Sequence, residues 1–171
     1  MKKWICAILF LFSIVNTAFC DDSEAIFWKP EKVVINNELY NMEMEPIRIP
    51  YQEGWGPKAF KVKILNKHSK DIEILWKDTC FLINGKLEGV FYTYKDKKKL
   101  NNETIPPQQS IERNIAPAYL LRLDMRPIHF FSSGSWQFHT EFPVGKNGML
   151  LYLLIDNKRI AEQVEIDFIL K

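Results

Sequence analysis

Apolar and polar residues alternate one by one over much of the chain. In residues 60–64 a phenylalanine, a valine and an isoleucine are separated by two lysines. Because successive side chains of a strand lie on opposite faces, this period of two predicts a half-buried strand. Residues 72–76 alternate in the same way. The polar residues between the two stretches predict that they form a hairpin.

The same alternation predicts further short strands. Asn84 and Gly85 lie between two apolar stretches and are a strong turn signal, because both residue types adopt the positive φ angles of a tight hairpin turn. A third hairpin is predicted around residues 156–158. Residues 119–125 fit either a short helix or an irregular strand that Pro127 ends. Edge strands are expected over residues 32–39 and 44–49, where prolines lie nearby.

Many short strands with little helix determine the predicted fold class. A parallel sheet needs long crossover helices, for which the hairpin pattern leaves little room. We therefore expect an all-β protein, an immunoglobulin-like antiparallel β-sandwich of eight or nine short strands. The composition, 47% hydrophobic and 26% charged, is typical of a globular protein and excludes a disordered or collagen-like chain. Residues 21–171 show no repeat or linker and are predicted to form a single sandwich domain.

The first 20 residues have the pattern of a signal peptide. Two lysines precede an apolar run over residues 4–12, which is too short to span a bilayer as a helix. Two processing routes remain open: cleavage directly after Cys20, or lipidation of Cys20 as in bacterial lipoproteins. Either route predicts an exported chain that is periplasmic, secreted or lipid-anchored to the membrane. Cys80 would then have no partner for an intramolecular disulfide, and its apolar neighbours predict a buried thiol.

Charge and motifs argue against nucleic-acid binding and against catalysis. The 23 basic and 21 acidic residues give a net charge of +2, which is far from the basic excess that binds phosphate backbones. The glycine-serine stretch 132–135 lacks the spacing of a nucleophile elbow. The sequence has neither a glycine-rich phosphate loop nor a Cys-x-x-Cys motif. We therefore predict a non-enzymatic protein without a cofactor.

One group of residues has the chemistry of metal ligands. His129, His139 and Glu141 lie close in the sequence, and the last two share one face of a predicted strand. Imidazole and carboxylate groups are zinc ligands, and three of them on adjacent strands could hold the ion. Their spacing matches no metal motif, however, and such residues also form the solvated face of a strand. The metal site therefore supports an alternative function only.

Two loops are candidates for recognition. In the first, residues 51–58, Tyr51 and Trp55 lie among glycines and a proline. Aromatic side chains in loops supply much of the contact energy at interfaces, although the more common arrangement is that such a ring folds back, here with Trp55 capping one end of the sandwich. The second loop, residues 92–99, is rich in lysine and could meet an acidic partner or lipid headgroups, or could be merely solvated. Its candidate binding residues are Tyr94, Lys97, Lys98 and Lys99.

The order of features between residues 60 and 117 resembles a known class of domains. A strand and a polar turn are followed by an Ile-x-Ile-x-Trp strand, a glycine-centred hairpin, Ile105-Pro106-Pro107 and a last strand that ends in Ile-Ala-Pro. The chain resembles the small exported or lipid-anchored immunoglobulin-like domains of bacterial envelopes, many of which have no assigned function. This resemblance implies the sandwich fold and brings no active site with it.

The sequence thus leads to two hypotheses about function. In the first, the chain is a non-enzymatic module of the cell envelope that has a binding or structural role. It would recognise a protein or a glycan through its end loops and edge strands, and it would meet the membrane only through a lipidated Cys20. In the alternative, it is an exported protein that binds a metal or small ligand with His129, His139 and Glu141. The oligomeric state is not predicted.

Overall fold

The computed structural model describes residues 26–47, 56–128, 131–138 and 141–170. These residues form an all-β protein whose strands pair antiparallel, and they contain no α-helix. Their one helical element is a 3-10 turn at Ala118–Leu120. No helix in this part of the chain is long and apolar enough to cross a membrane. The predicted all-β, antiparallel class is confirmed.

The described residues contain thirteen strands, more than the eight or nine predicted. The pattern gave no prediction for β1 and β8, which have only four and three residues, and left β10 undecided. In chain order the strands are β1 Ile26–Lys29, β2 Val33–Asn36, β3 Tyr40–Ile47, β4 Ala59–Asn66, β5 Ile72–Ile74, β6 Cys80–Ile83, β7 Lys86–Thr93, β8 Glu103–Ile105, β9 Ser110–Pro117, β10 Leu121–Ile128, β11 Phe131–Phe138, β12 Gly145–Ile155 and β13 Lys158–Leu170.

Eleven of the strands belong to one curled sheet. Its main path runs β1-β13-β12-β6-β7-β9-β4-β3-β2. Off this path, β5 pairs with β12, and β8 pairs with β5. The path bends at β7, which pairs with β6 as far as Val90 and with β9 from Phe91 onward. Just before this change of partner, Gly89 has a φ of 136° and the register shifts between Phe81 and Leu82. Such a bulge bends a strand and increases its twist, which accounts for the curl.

Aromatic residues fill the interior of the curled sheet. The ring of Phe60, in β4, stacks on that of Phe142 with 4.5 Å between centroids. Phe142 in turn lies 5.7 Å from Phe81 of β6 and 5.2 Å from Phe168 of β13. All four side chains are buried. Strands from both ends of the sheet therefore share one core.

Side chains also connect strands that the backbone does not pair. The hydroxyl of the buried Tyr40, in β3, donates a hydrogen bond to the carboxylate of Glu162 in β13. Burial, reinforced by this hydrogen bond, raises the pKa of Tyr40 to about 12. Arg113 of β9 donates two hydrogen bonds to Glu103 of β8, at 2.6 and 3.1 Å. These contacts hold distant parts of the sheet together.

Asn66, fully buried at the end of β4, is bonded to three segments of the chain. Its side-chain nitrogen donates to the carbonyls of Lys70 and Ile105, each at 2.8 Å. Its side-chain oxygen accepts the N–H of His68 at 2.8 Å. Its own backbone N–H donates to the carbonyl of Gln109 at 2.9 Å. The residues that follow β4 are therefore held against β8 and the start of β9.

The turn predictions are confirmed. Asn84 and Gly85, with φ of 50° and 75°, join β6 to β7 as a hairpin. Asp156 and Asn157, with φ of 49° and 61°, join β12 to β13. Two successive residues with positive φ are the geometry of the tight turn that matches the twist of antiparallel strands.

Three predictions about the pairing and the ends of strands are wrong. β4 and β5 do not form a hairpin, because β4 pairs with β3 and β9 whereas β5 pairs with β12 and β8. β3 is not an edge strand, since it lies between β2 and β4. Pro127 does not end its element: β10 continues to Ile128. A strand with a single partner tolerates proline, because an N–H on its open side has no ladder bond to lose.

Candidate functional site

Residues 93–99, which we call the lysine turn, form a closed loop at the end of β7. The N–H of Thr93 donates to the carbonyl of Lys98 at 2.8 Å, and the N–H of Lys97 donates to the carbonyl of Thr93 at 2.9 Å. The N–H of Lys98 also lies 3.2 Å from the hydroxyl of Thr93. Lys97 has a φ of 53°, which is uncommon for a residue with a side chain. Local hydrogen bonds thus hold the turn in one conformation.

The lysine turn is attached to the sheet at both ends. The N–H of Tyr94 donates to the carbonyl of Asn114, in β9, at 2.8 Å. Lys99 forms a backbone bridge with Tyr92, and the next residue, Leu100, is buried in the core. Because the backbone of such an anchored loop is already ordered, little conformational entropy is lost when it binds a partner, and this favours affinity.

Unpaired positive charge is the main chemical property of the lysine turn. Its four lysines are exposed, except for the half-buried Lys97. Among the residues that the structure describes, none forms an ion pair with any of the four. Lys32, by contrast, pairs with Glu43 at 3.1 Å. Asp96 is the only acidic residue within the turn, so the turn carries a net positive charge.

Tyr94 contributes to the turn in a different way from the lysines. Its side chain is half-buried and packs against the hydrophobic core. Burial raises the pKa of its hydroxyl above the usual value for tyrosine. The structure thus brings together four predicted binding residues in one turn, with Tyr94 at its base and the lysines Lys97, Lys98 and Lys99 at its surface.

The other predicted site residues are mostly not described. Tyr51, Trp55, His129, His139 and Cys20 lie outside the described residues, as does the predicted signal peptide. Within the described ranges, no three His, Cys, Asp or Glu side chains are grouped closely enough to hold a metal ion. The metal hypothesis depends on His129 and His139 and so stays a prediction.

Glu141, the described member of that set, lies beside the end of the loop 51–58. The N–H of the adjacent Phe142 donates to the carbonyl of Pro57 at 3.0 Å. Gly56 is buried, and a Cβ at this position would overlap the carboxylate of Glu141. The structure therefore places Glu141 against the last residues of the candidate recognition loop.

The solvent-facing side of β3, β4 and β9 is a network of opposite charges. Cross-strand pairing places Lys63 between Glu43 and Glu112, and the next pair along the strands, Lys61 and Glu45, forms an ion pair. The hydrogen bond from Lys32 lowers the pKa of Glu43, and that to Glu45 raises the pKa of Lys61. Because these charges neutralise one another within the face, the face attracts a charged partner only weakly.

A cleft of about 390 Å³ opens between β1 and the end of β3. It exists because β2 pairs with β3 only as far as Val33, opposite Met44, so that the following residues of β3 have no neighbour in β2. A volume of this size lies within the range of small-ligand sites. The cleft is lined by Phe27, Trp28, Glu31, Glu45 and Pro46.

Comparisons with known proteins give no relative: no family model, no curated protein and no solved structure matches the chain.

Sequence reasoning missed the cleft, which depends on where β2 ends. It also missed the two-stranded sheet of β10 and β11. The alternation in residues 121–126 was a signal for this sheet, but Pro127 obscured it.

Proposed function

We propose that the chain is a non-enzymatic, exported module of the cell envelope that recognises a negatively charged protein or glycan through the lysine turn. The proposal includes removal of residues 1–20, or lipidation at Cys20, and an immunoglobulin-like arrangement of the sandwich as in the bacterial domains that the sequence resembles. Export rests on the N-terminal sequence pattern. The immunoglobulin-like arrangement is consistent with the curled antiparallel sheet, whose two halves share one core.

One observation carries the proposal: the lysine turn is both fixed and without ion pairs among the described residues. The hydrogen bonds between Thr93 and Lys98 close the loop, and the paired lysines elsewhere, such as Lys32 and Lys61, are already neutralised by carboxylates. Clustered cations on a rigid loop raise the local potential and speed the encounter with an anionic partner. Salt screens such contacts, with a Debye length of about 8 Å at physiological ionic strength.

The test is chemical crosslinking in intact envelopes of the native host, followed by capture through a C-terminal tag. The lysine-turn variant replaces Lys97, Lys98 and Lys99 by glutamine. The matched control replaces three lysines outside the turn, the exposed Lys77, Lys86 and Lys158, by glutamine, and so makes the same change in net charge. We expect a partner that is crosslinked to the wild type and to the control and is lost from the lysine-turn variant. Equal crosslinking of the two variants would contradict the proposal.

A further inference from the structure

The two ends of the curled sheet lie close together without pairing. β1 and β2 are consecutive in the sequence but stand at opposite ends of the strand path. Lys29 ends β1 and Val33 begins β2, so the two residues lie within about 14 Å of each other. No backbone pairing joins β1 to β2 or β3 in the part of the chain that the structure describes. The cleft between β1 and the end of β3 is therefore a gap in an almost closed sheet.

Three segments of the chain line this cleft. Phe27 and Trp28 come from β1, Glu31 comes from the connection between β1 and β2, and Glu45 and Pro46 come from the end of β3. The rings of the first two residues and the proline supply apolar surface, whereas the glutamates supply carboxylates. No lysine or arginine is among the described residues that line the cleft. The cleft thus combines apolar walls with negative charge.

The two carboxylates keep capacity for a further cation. Glu31 is exposed and forms no ion pair with any residue that the structure describes. Glu45 holds the ammonium group of Lys61 on its Oε1 atom, and its Oε2 atom has no ion pair within the same described ranges. A carboxylate accepts about four hydrogen bonds. A cation that enters the cleft can therefore bind Oε2 without displacing Lys61.

The apolar walls are formed before any ligand binds. The ring of Trp28 is half-buried and lies 6.2 Å from that of Phe168 in the core, measured between centroids. Pro46 is buried, and Phe27 is 37% exposed. Aromatic rings attract cations to their faces as well as packing against apolar groups. The lining therefore suits a ligand that has both a positive charge and an apolar part.

The lining argues against the other classes of small ligand. Both carboxylates repel an anion. A neutral apolar ligand would displace water from the carboxylates and offer no hydrogen bond in return, which is costly. A calcium ion takes about six to eight oxygen ligands, and within the described ranges no three His, Cys, Asp or Glu side chains are grouped closely enough to hold a metal ion. An organic cation meets both requirements of the lining.

We propose that the cleft binds a small organic cation, an ammonium group carried on an apolar or aromatic body. The ammonium lies between Glu31 and Oε2 of Glu45, and the body packs against Phe27, Trp28 and Pro46. The volume of about 390 Å³ is near the lower end of the range for small-ligand sites, which suits a compact amine. The site shares no residue with the lysine turn and has the opposite charge, so it is independent of recognition through that turn.

The first test titrates the full chain with phenylethylammonium and follows the amide N–H spectrum by nuclear magnetic resonance. The control ligand is 2-phenylethanol, which has almost the same shape and no charge. We expect saturable shifts at residues 27, 28, 31 and 45. The amine should bind at least about fivefold more tightly than the alcohol, the factor expected for a partly exposed ion pair. Equal affinities, or shifts confined to other parts of the chain, would overturn the proposal.

The second test removes the two charges. E31Q is combined with E45Q, and the matched control combines E88Q with E103Q. Glu88 is exposed, as Glu31 is, and Glu103 pairs with Arg113 as Glu45 pairs with Lys61. We expect the affinity for phenylethylammonium to fall at least about fivefold in the first variant and less than about twofold in the control. Equal affinities of the two variants would overturn the proposal.

A single substitution separates loss of binding from loss of folding. If the melting temperature of the E31Q and E45Q double variant falls, E31Q alone is compared with E88Q, because both positions are exposed. E31Q should bind phenylethylammonium more weakly than E88Q and should bind 2-phenylethanol equally well. The proposal fails if E31Q and E88Q have the same affinity for the amine.

Discussion

Replacement of Asn66 by alanine tests how the polar segment after β4 is held in place. The variant loses three side-chain hydrogen bonds, two donated to the carbonyls of Lys70 and Ile105 and one accepted from the N–H of His68, each of 2.8 Å. A hydrogen bond contributes about 1 kcal/mol net, and a buried group left without a partner costs about 1–3 kcal/mol. Since Asn66 is fully buried, we expect the free energy of unfolding to fall by about 3–4 kcal/mol.

The assay is thermal and urea unfolding followed by circular dichroism. For a domain of about 150 residues, a loss of this size lowers Tm by roughly 10 °C. Asn101 is exposed, so N101A is a matched control that should change stability by less than about 0.5 kcal/mol. Asn66→Asp keeps the acceptor for His68 but removes both donors, and it should be at least as unstable as the alanine variant. A loss below about 1 kcal/mol in N66A would refute the reasoning.

Three further predictions concern packing, pH and thiol reactivity. G148A should be far less stable than G56A in urea unfolding. A Cβ at Gly148 would overlap the backbone carbonyl of Val164, which cannot move aside, whereas the nearest atoms at Gly56 belong to the side chain of Glu141, whose carboxylate can rotate away. Equal losses of stability in the two variants would contradict this. The pKa of Tyr40 is raised to about 12 from about 10 in the unfolded chain, so the contribution of its neutral hydroxyl to stability is fully present below pH 10. That contribution, up to about 2–3 kcal/mol, is lost as the pH rises through 12. In unfolding curves measured at alkaline pH, Y40F should lack this fall in stability. A pH profile of stability that is the same in Y40F as in the wild type would contradict the assignment to Tyr40. The half-exposed thiol of Cys80 should react with a disulfide reagent in the native protein, which the absorbance of the released product measures. A thiol that reacts only after unfolding would contradict this and would support the buried thiol that the sequence predicted.

The features that sequence predicted well are those specified by neighbouring residues. The hairpin at Asn84 and Gly85 and the turn at Asp156 and Asn157 depend on residues that tolerate positive φ. The alternating faces of β4 and β13 follow from the period of two. Which strands become neighbours is a different matter, because pairing depends on contacts far apart in the sequence. β5 pairs with β12 across about 80 residues, and nothing in the composition of residues 66–71 distinguishes that path from a hairpin.

The candidate site likewise has one property that the local sequence specifies and one that depends on strand pairing. A lysine run is visible in the sequence, but its interpretation as a solvated loop or as a binding surface depends on whether the backbone is fixed. That is decided by the hydroxyl and backbone of Thr93, by the positive φ of Lys97 and by the bond from Tyr94 to Asn114. Asn114 lies in β9, which the sequence does not identify as the neighbour of this loop. The charge of the turn is therefore encoded locally, whereas its rigidity is a property of the sheet. Because recognition through the turn requires both, a sequence could keep every lysine and still lose the site if β7 and β9 no longer paired.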